Sequence, residues 1–163
     1  MTNDISIEIR AALPTHLARL WRYGLVLSGA RDVAEDLVQA TCVRALERAN
    51  QFQPGTRLDH WLLAILRSIW LNEIRARKVR IGGGLVDAAE SLAIDGAHEV
   101  ETNIFAREVL QAIGLLPEAQ REAVLLVYAE GHTYAEAATL MGIPIGTVMS
   151  RLSAARVALG KLR

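Results

Sequence analysis

Thr147, Ser150 and Arg151 are the residues whose types and spacing most clearly indicate a chemistry. In a helix these three residues share one face with Ala154. Two hydroxyls and a guanidinium near a helix N-terminus suit the base edges and phosphates of a DNA major groove. The spacing therefore predicts a DNA-contacting face. The alternative is a helical hairpin whose polar face only meets water.

The segment 133–159, which would have to hold this face, has the pattern of a helix-turn-helix. Thr133 and Glu136 have capping-box spacing at the start of a short helix. Ala138, Gly142 and Val148 then match the small residue at the helix crossing, the turn glycine and the apolar anchor of the second helix. Gly146 and Thr147 are predicted to start that second helix, whose inward face comprises Val148, Leu152, Ala155 and Leu159.

The rest of the chain is also predicted to be helical, because apolar residues recur at helical spacing and alternating β-branched runs are absent. We therefore expect an all-α fold. A first helix is predicted from about Pro14 to Leu27, ended by Gly29. Its expected apolar side comprises Leu17, Leu20, Trp21 and Leu25.

Two further helices are predicted before residue 81. Asp32 and Glu35 have capping-box spacing at the start of the second helix. Its apolar stripe comprises Ala34, Leu37, Val38, Thr41, Cys42, Ala45, Leu46 and Ala49. A third helix is expected from about Asp59 into the basic segment Arg75–Arg80, and its expected core residues are Trp61, Ile65 and Ile69.

The net charge of zero hides a strong asymmetry along the chain. Residues 1–80 carry 12 Lys and Arg against 8 Asp and Glu, residues 81–118 carry 1 against 7, and residues 119–163 carry 5 against 3. Three consecutive glycines at 82–84 predict a flexible junction, and the acidic segment Asp87–Glu101 follows it. Such blocks indicate interaction surfaces at both ends of the chain.

Residues that could support metal or nucleophilic chemistry are scattered. Cys42 is the single cysteine, so no intramolecular disulfide is possible, and we expect it to be a small core residue. The histidines at 16, 60, 98 and 132 have no carboxylate or cysteine at ligand or triad spacing. We therefore expect no metal and no enzyme. Apolar runs are too short to cross a bilayer and no signal pattern is present, so we expect a soluble cytoplasmic protein.

Four segments in order resemble motifs of extracytoplasmic-function (ECF) sigma factors, a group of bacterial transcription initiation factors. Asp32–Gln39 resembles D-A-E-D-L-V-Q, and Trp61–Arg67 resembles W-L-x-x-I-x-R. Leu116–Arg121 resembles L-P-x-x-x-R, and Gly146–Arg156 resembles G-T-V-x-S-R-L-x-x-A-R. Together they cover nearly the whole chain. The resemblance implies no cofactor and no catalysis by this chain, since the polymerase does the chemistry.

The resemblance also implies two small helical domains joined by a flexible linker. Residues 1–80 would dock on core RNA polymerase and open the minus-ten element of the promoter. Residues 81–101 would form the acidic linker, and residues 102–163 would read the minus-thirty-five element as duplex. The linker is either a soluble spacer or a segment in the RNA-exit path of the polymerase, where the implied carboxylates are Asp87, Glu90 and Asp95.

The implied polymerase-binding residues of the second helix are Asp36, Gln39, Ala40, Val43 and Leu46, of which Asp36, Gln39 and Val43 point away from the apolar stripe. The family usually has an acidic residue where Ala40 stands, so one possible ion pair is absent. Without the resemblance, an ordinary solvated helix face would be the favoured explanation, because charged faces are usually just surface.

The resemblance implies that the loop 53–60 captures a base flipped from the non-template strand, and that the basic end of the third helix binds the strand backbone. The implied minus-ten residues are Thr56, Arg57, His60, Arg67, Ser68, Asn72, Arg75, Arg77 and Lys78. Ser68 stands where the family usually has asparagine. Trp70 has two interpretations, a stacking platform for an unpaired base or a core residue.

The implied minus-thirty-five residues are Arg121, Thr133, Tyr134, Thr147, Met149, Ser150, Arg151, Ala154 and Arg156. Met149 and Ala154 stand where the family often has basic residues, which leaves Arg151 and Arg156 as the main cations. Arg156 lies toward a flank and suits a phosphate better than a base. We expect weak DNA binding without the polymerase.

The partners implied are core RNA polymerase, promoter DNA and an anti-sigma factor, with no membrane insertion. Two alternatives remain. A sigma-like decoy would bind an anti-sigma protein and give no transcripts. A stand-alone helix-turn-helix regulator would bind operators without polymerase, as a dimer with defined half-site spacing.

Overall fold

The computed structural model describes residues 2–81 and 111–160 and divides the chain into two compact units, Met1–Asp87 and Ala88–Arg163. Every regular element of the described residues is helical, which confirms the predicted all-α fold. In the first unit, α1 (Thr2–Ser28), α2 (Arg31–Glu47) and α3 (Leu58–Arg80) all pack against one another, and a 3₁₀ turn at Ala49–Gln51 follows α2.

Helix α1 begins much earlier than the sequence predicted. It starts at Thr2, so Pro14 lies inside it. Ile9 and Leu13 are buried at helical spacing with Leu20, and this burial offsets the backbone hydrogen bond that a proline removes from a helix. Leu17, expected on the apolar side, is 41% exposed.

The junction between α1 and α2 was predicted in part. Gly29 ends α1 with a φ of +73°, as expected. The predicted capping box at Asp32 is wrong, because Ala30 occupies the cap position without a side-chain hydrogen bond and Asp32 lies in the first turn of α2. There its carboxylate interacts favourably with the positive end of the α2 dipole.

The apolar stripe of α2 is confirmed, because no member of it is exposed. Ala34, Leu37, Thr41 and Ala45 are buried, and the Thr41 hydroxyl donates to the Leu37 carbonyl oxygen at 2.6 Å. Gly24 of α1 allows the close approach, since a Cβ on it would lie 3.3 Å from the Ala34 Cα. Cys42 is half-buried, and burial raises the pKa of its thiol.

Helix α3 buries a different set of residues from the one predicted. Trp61, Ile65 and Ile69 are only half-buried. The side chains that fill the core are those one position along the helix, Leu62, Leu66 and Trp70, together with Leu63.

Between residues 111 and 160, the described part of the second unit, a helix ends at residue 114 and three further helices follow. Helix α4 (Glu118–Val124) continues into a π-helical turn at Leu125–Ala129, and α5 (Tyr134–Met141) and α6 (Ile145–Gly160) follow. Helices α4 and α5 both pack against α6. The core includes Leu126, Leu140, Val148 and Leu152.

Some predictions fall outside the described residues. The glycine junction at 82–84 and the acidic linker carboxylates Asp87, Glu90 and Asp95 lie there, and the domain limits at 80, 101 and 102 stay predictions. Within 2–81 and 111–160, no helix combines the length and apolar character that a membrane span requires. In the same ranges, no three His, Cys, Asp or Glu residues gather into a group that could hold a metal ion.

Candidate functional site

The turn between α5 and α6 has the predicted helix-turn-helix geometry. At the start of α5, the Glu136 backbone N–H donates to the Thr133 Oγ1 at 3.1 Å, and the Thr133 backbone N–H donates to the Glu136 Oε1 at 3.1 Å. This reciprocal pair is the expected capping box. Gly142 ends α5 with a φ of +66°, and α6 begins at Ile145, one residue before the predicted start.

Helix α6 separates a buried face from an exposed one, as its phasing predicted. Val148, Leu152 and Ala155 are buried, and Leu159 is half-buried. On the neighbouring face Ser150 and Ala154 are exposed, whereas Thr147 and Arg151 are half-buried. Met149 is 49% exposed but projects from a different side of the helix. The Ser150 hydroxyl donates to the Thr147 carbonyl oxygen at 3.0 Å. The arrangement offers an arginine and two hydroxyls on one accessible surface.

Arg156 is exposed and is held by two phenol groups. Its Nη1 donates to the Tyr128 hydroxyl at 2.9 Å. Hydrogen bonds and partial charges from Tyr134 and Tyr128 raise the pKa of Arg156 further above its high ordinary value. The sequence predicted Arg156 and Tyr134 as site residues but missed Tyr128. The sequence feature that could have pointed to Tyr128 is an aromatic side chain just before the Gly131 turn. Tyr128 lies 28 residues from Arg156 in the sequence.

Arg121 does not lie on this accessible surface. It is only 9% exposed, and its Nη1 donates to the Gly114 carbonyl oxygen at 3.2 Å, at the end of the preceding helix. Burial lowers the pKa of Arg121. A cation at a helix C-terminus stabilises the last carbonyls and the dipole. This placement argues against the DNA contact predicted for Arg121.

The outer face of α2 is accessible along its length. Asp36, Gln39 and Ala40 are exposed, and the apolar Val43 is 56% exposed. Leu46 lies on the flank and is half-buried. This face lies opposite the buried stripe, so an external partner can reach it without disturbing the core.

The loop that precedes α3 is a tight turn. Thr56 donates to the Gln53 carbonyl oxygen from its backbone N–H at 3.2 Å and from its hydroxyl at 2.6 Å. Gly55 supports the turn with a φ of +87°. Arg57 is exposed and His60 is half-buried.

The basic end of α3 is accessible. Arg75, Arg77, Lys78 and Arg80 are all exposed. Ser68, Asn72 and Arg75 share one face because they follow i, i+4 and i+7 spacing, and the first two are exposed as well. Arg67, at the other end of this segment, is half-buried.

Trp70 belongs to the core rather than to this surface. It is 7% exposed, and the Arg77 guanidinium lies over its ring at 5.9 Å from the centroid. The Arg77 Nη2 also donates to the Glu73 Oε1 at 3.0 Å. The structure therefore favours the core interpretation of Trp70 over base stacking.

Comparison with known proteins connects both units to transcription. The chain matches the family model described as Sigma-70 region 2 over residues 14–80 and the model described as Sigma-70, region 4 over residues 106–159.

Individual relatives cover most of the chain. An ECF RNA polymerase sigma factor, EcfG, of Rhodopseudomonas palustris (strain TIE-1) is 35% identical over 162 residues, which are 99% of this chain and 86% of that protein. An ECF RNA polymerase sigma factor, SigC, of Mycobacterium tuberculosis (strain CDC 1551 / Oshkosh) is 36% identical over 140 residues, or 86% and 75% of the two chains.

A solved structure is similar over almost the whole length. It is the sigma factor RpoE in complex with the anti-sigma factor NepR from Bartonella quintana. The TM-score is 0.77 with 34% sequence identity, and the match covers 95% of this chain and 96% of that one.

Proposed function

Since the chain belongs to the ECF group of sigma-70 RNA polymerase sigma factors, we propose how its two units divide the work of promoter recognition. The protein is a transcription initiation factor that directs RNA polymerase to promoters and supports their melting. Bond-making chemistry belongs to the polymerase. The main support for these two roles is α6, which buries the face that includes Val148 and exposes a polar face beside it. A helix exposed in this way fits the major groove of duplex DNA.

The first unit docks on core RNA polymerase through the outer face of α2. Asp36, Gln39, Ala40 and Val43 supply an accessible surface with one carboxylate, one amide and an exposed apolar centre. Leu46 extends it on the flank. Covering an exposed valine removes apolar surface from water, which favours association.

The same unit holds the melted minus-ten strand. The loop presents Thr56 and Arg57, the first turn of α3 presents His60, and farther along α3 a polar face begins at Ser68. Cations at the end of α3 bind the strand backbone by releasing counterions. The residues proposed for this role on α3 are Arg67, Ser68, Asn72, Arg75, Arg77 and Lys78.

The second unit reads the minus-thirty-five duplex with α6. Arg151, Ser150 and Thr147 face the major groove in this proposal together with Ala154, and Met149 contacts the DNA from farther round the helix. Arg156 contacts a phosphate from the flank. Thr133 and Tyr134 at the start of α5 approach the adjacent backbone, where a helix N-terminus favours phosphate oxygens.

An anti-sigma factor is the proposed regulator, and the cytoplasm, where polymerase acts, is the proposed compartment. The support is the likeness to a sigma factor solved in complex with the anti-sigma factor NepR, at 34% identity over 95% of this chain. A bound regulator would have to cover the outer face of α2 or the face of α6 to prevent docking or promoter reading.

Transcription with purified components tests the proposal. The full chain is added to core polymerase on fragmented genomic DNA, and run-off transcripts are compared with core polymerase alone. We expect a small set of new start sites. Absence of any new transcript on every fragment would contradict the proposal, and absence of polymerase binding as well would indicate a decoy.

A matched pair of variants tests the docking face. Val43→Asp places a charge on the proposed interface, whereas Ile7→Asp makes the same change at a comparably exposed site, 59% against 56%, on α1. We expect Val43→Asp to weaken polymerase binding roughly tenfold or more, because an unpaired buried charge at an interface is costly. Equal binding by both variants would place the docking surface elsewhere.

A further inference from the structure

Residues 53–57, the part of the predicted base-capture loop 53–60 that precedes α3, are tied to the start of α3 on both sides. Before the loop, the Phe52 ring packs on Trp61 with centroids 5.2 Å apart. At its end, Arg57 forms a two-point contact with Asp59, with Nε donating to Oδ1 at 3.1 Å and Nη2 to Oδ2 at 2.7 Å. Fork-shaped pairs of this kind fix the orientation of both groups.

A second guanidinium reaches the same carboxylate from α1. Arg19 Nη1 lies 3.1 Å from Asp59 Oδ2, so one oxygen accepts from two different segments of the chain. The Asp59 side chain is 12% exposed. Burial alone would raise its pKa. The hydrogen bond from Arg57, the His60 backbone N–H and the charges of Arg57 and Arg19 together hold the pKa of Asp59 below its ordinary value.

This arrangement differs from an ordinary surface ion pair. Exposed pairs contribute little because water screens them and both side chains lose rotamer freedom. Asp59 is largely shielded, accepts from two guanidinium groups and also lies in the first turn of α3. The plain alternative is that Asp59 only stabilises the N-terminus of α3 through the helix dipole. That alternative gives no role to Arg19.

We propose that Asp59 is a positioning residue for the base-capture loop, acting through a clamp formed by Arg19, Asp59 and Arg57. The clamp holds the loop in the turn seen between Gln53 and Thr56 and directs Arg57 along the start of α3. The inference rests on the proposed minus-ten role of the first unit, and its test separates the two.

Amide hydrogen exchange by NMR on the full chain tests the clamp without polymerase. The probe is the Thr56 backbone N–H, which donates to the Gln53 carbonyl oxygen. Asp59→Asn and Arg19→Gln are each expected to speed its exchange roughly five- to tenfold, in line with the loss of a charge-assisted hydrogen bond. The control is Asp4→Asn, which removes a carboxylate about 22 Å along α1 from Arg19 and should leave the rate unchanged.

Asp59→Glu keeps the charge and is expected to retain a rate close to that of the unaltered chain. Unchanged exchange in Arg19→Gln would overturn the clamp and favour a role limited to the N-terminus of α3. Equal acceleration by Asp59→Glu and Asp59→Asn would also overturn it, because a charge-dependent clamp must distinguish them.

Promoter melting by the holoenzyme tests the functional step. The template is a promoter found by the genomic run-off assay, with 2-aminopurine placed in the minus-ten element to report unstacking. Asp59→Asn and Arg19→Gln should slow melting about five- to tenfold while polymerase affinity stays within about twofold. If both variants melt the promoter like the unaltered protein, the clamp is refuted and the proposed function still stands. If the unaltered holoenzyme melts no promoter, the proposed function fails, whatever the exchange experiment gives.

Discussion

At the scale of single residues, two exposed arginines are oriented by contacts that join different segments of the chain. Arg156 is oriented by Tyr128, and Arg57 is oriented by a carboxylate that Arg19 also holds. In both cases an exposed cation is fixed before any nucleic acid arrives. Because these side chains are already ordered, less conformational entropy is lost when DNA binds.

Removing the Tyr128 hydroxyl should weaken promoter binding through Arg156. We expect Tyr128→Phe to reduce holoenzyme affinity for a duplex containing the minus-thirty-five element by roughly threefold, because a side-chain hydrogen bond that orients the cation is lost. Fluorescence anisotropy at several salt concentrations gives the measurement. Arg156→Ala should also lower the salt slope by about one.

The double variant controls this experiment. If Tyr128 acts through Arg156, Tyr128→Phe should have little further effect when Arg156 is already alanine. Additive effects of the two substitutions would show that the tyrosine contributes by another route.

The clamp also predicts a pH dependence of stability. The pKa of Asp59 is held below its ordinary value of about 3.8, so its ionised form stabilises the folded state. That contribution is fully present above the ordinary value and is lost as pH falls through the lower folded pKa. His16 faces the same cluster, and burial followed by the charge of Arg19 lowers its pKa.

Denaturant unfolding from pH 6 to pH 3 would check the sign. The difference in unfolding free energy between the unaltered chain and Asp59→Asn should stay constant down to about pH 4 and shrink below it. His16 is present in both proteins, so its own titration largely cancels in the difference. A difference that grows toward low pH would contradict the assignment.

At the scale of elements, the turn between α5 and α6 sets the position of the reading helix. Gly142 has a φ of +66°, where a Cβ is strained even though no neighbour lies within 4 Å. The capping box at Thr133 fixes the other end of α5. The relation of α5 to α6 is therefore determined by local backbone chemistry at a few positions.

Substitution of this turn glycine should destabilise the second unit. We expect Gly142→Ala to lower the free energy of unfolding by about 1–2 kcal/mol, because alanine is disfavoured at positive φ. The matched control is Gly146→Ala, a helical position on α6 with open space around it. That change should be neutral or stabilising by up to about 1 kcal/mol. Thermal unfolding followed by circular dichroism would reveal the contrast, and equal effects of both changes would refute the backbone explanation.

At the scale of the whole molecule, charge is arranged in blocks that cancel. The segments 1–80 and 119–163 are basic, the segment 81–118 is acidic, and the formal net charge is zero. A chain without net positive charge gains little from the general attraction of DNA. Binding should therefore depend on the polymerase, which supplies a second surface and holds both units at one promoter.

The full chain alone should bind duplex DNA weakly. We expect no saturable binding to a promoter fragment at physiological salt below about 10 µM, since nonspecific affinities lie near this range even for basic proteins. Addition of core polymerase should bring the affinity into the nanomolar range. Electrophoretic mobility shifts with and without polymerase would decide, and tight binding by the free chain would favour a stand-alone regulator.

The sequence alone determined the features that depend on neighbouring residues. Helical periodicity predicted the stripe of α2, the extent of α3 and the inward face of α6, because each follows from side chains three or four positions apart. The capping box at Thr133 and the turn at Gly142 were predicted for the same reason.

Only the tertiary structure decided which side chains meet across the fold. Pro14 suggested a helix start, yet burial of Ile9 and Leu13 carries α1 through it to Thr2. The resemblance implied a DNA contact for Arg121, but its side chain is buried and donates to the Gly114 carbonyl oxygen. Arg19 and Asp59, like Tyr128 and Arg156, are joined by packing between helices. Local patterns do not encode such pairs, because their energies depend on burial and distance, which exist only after the helices have packed.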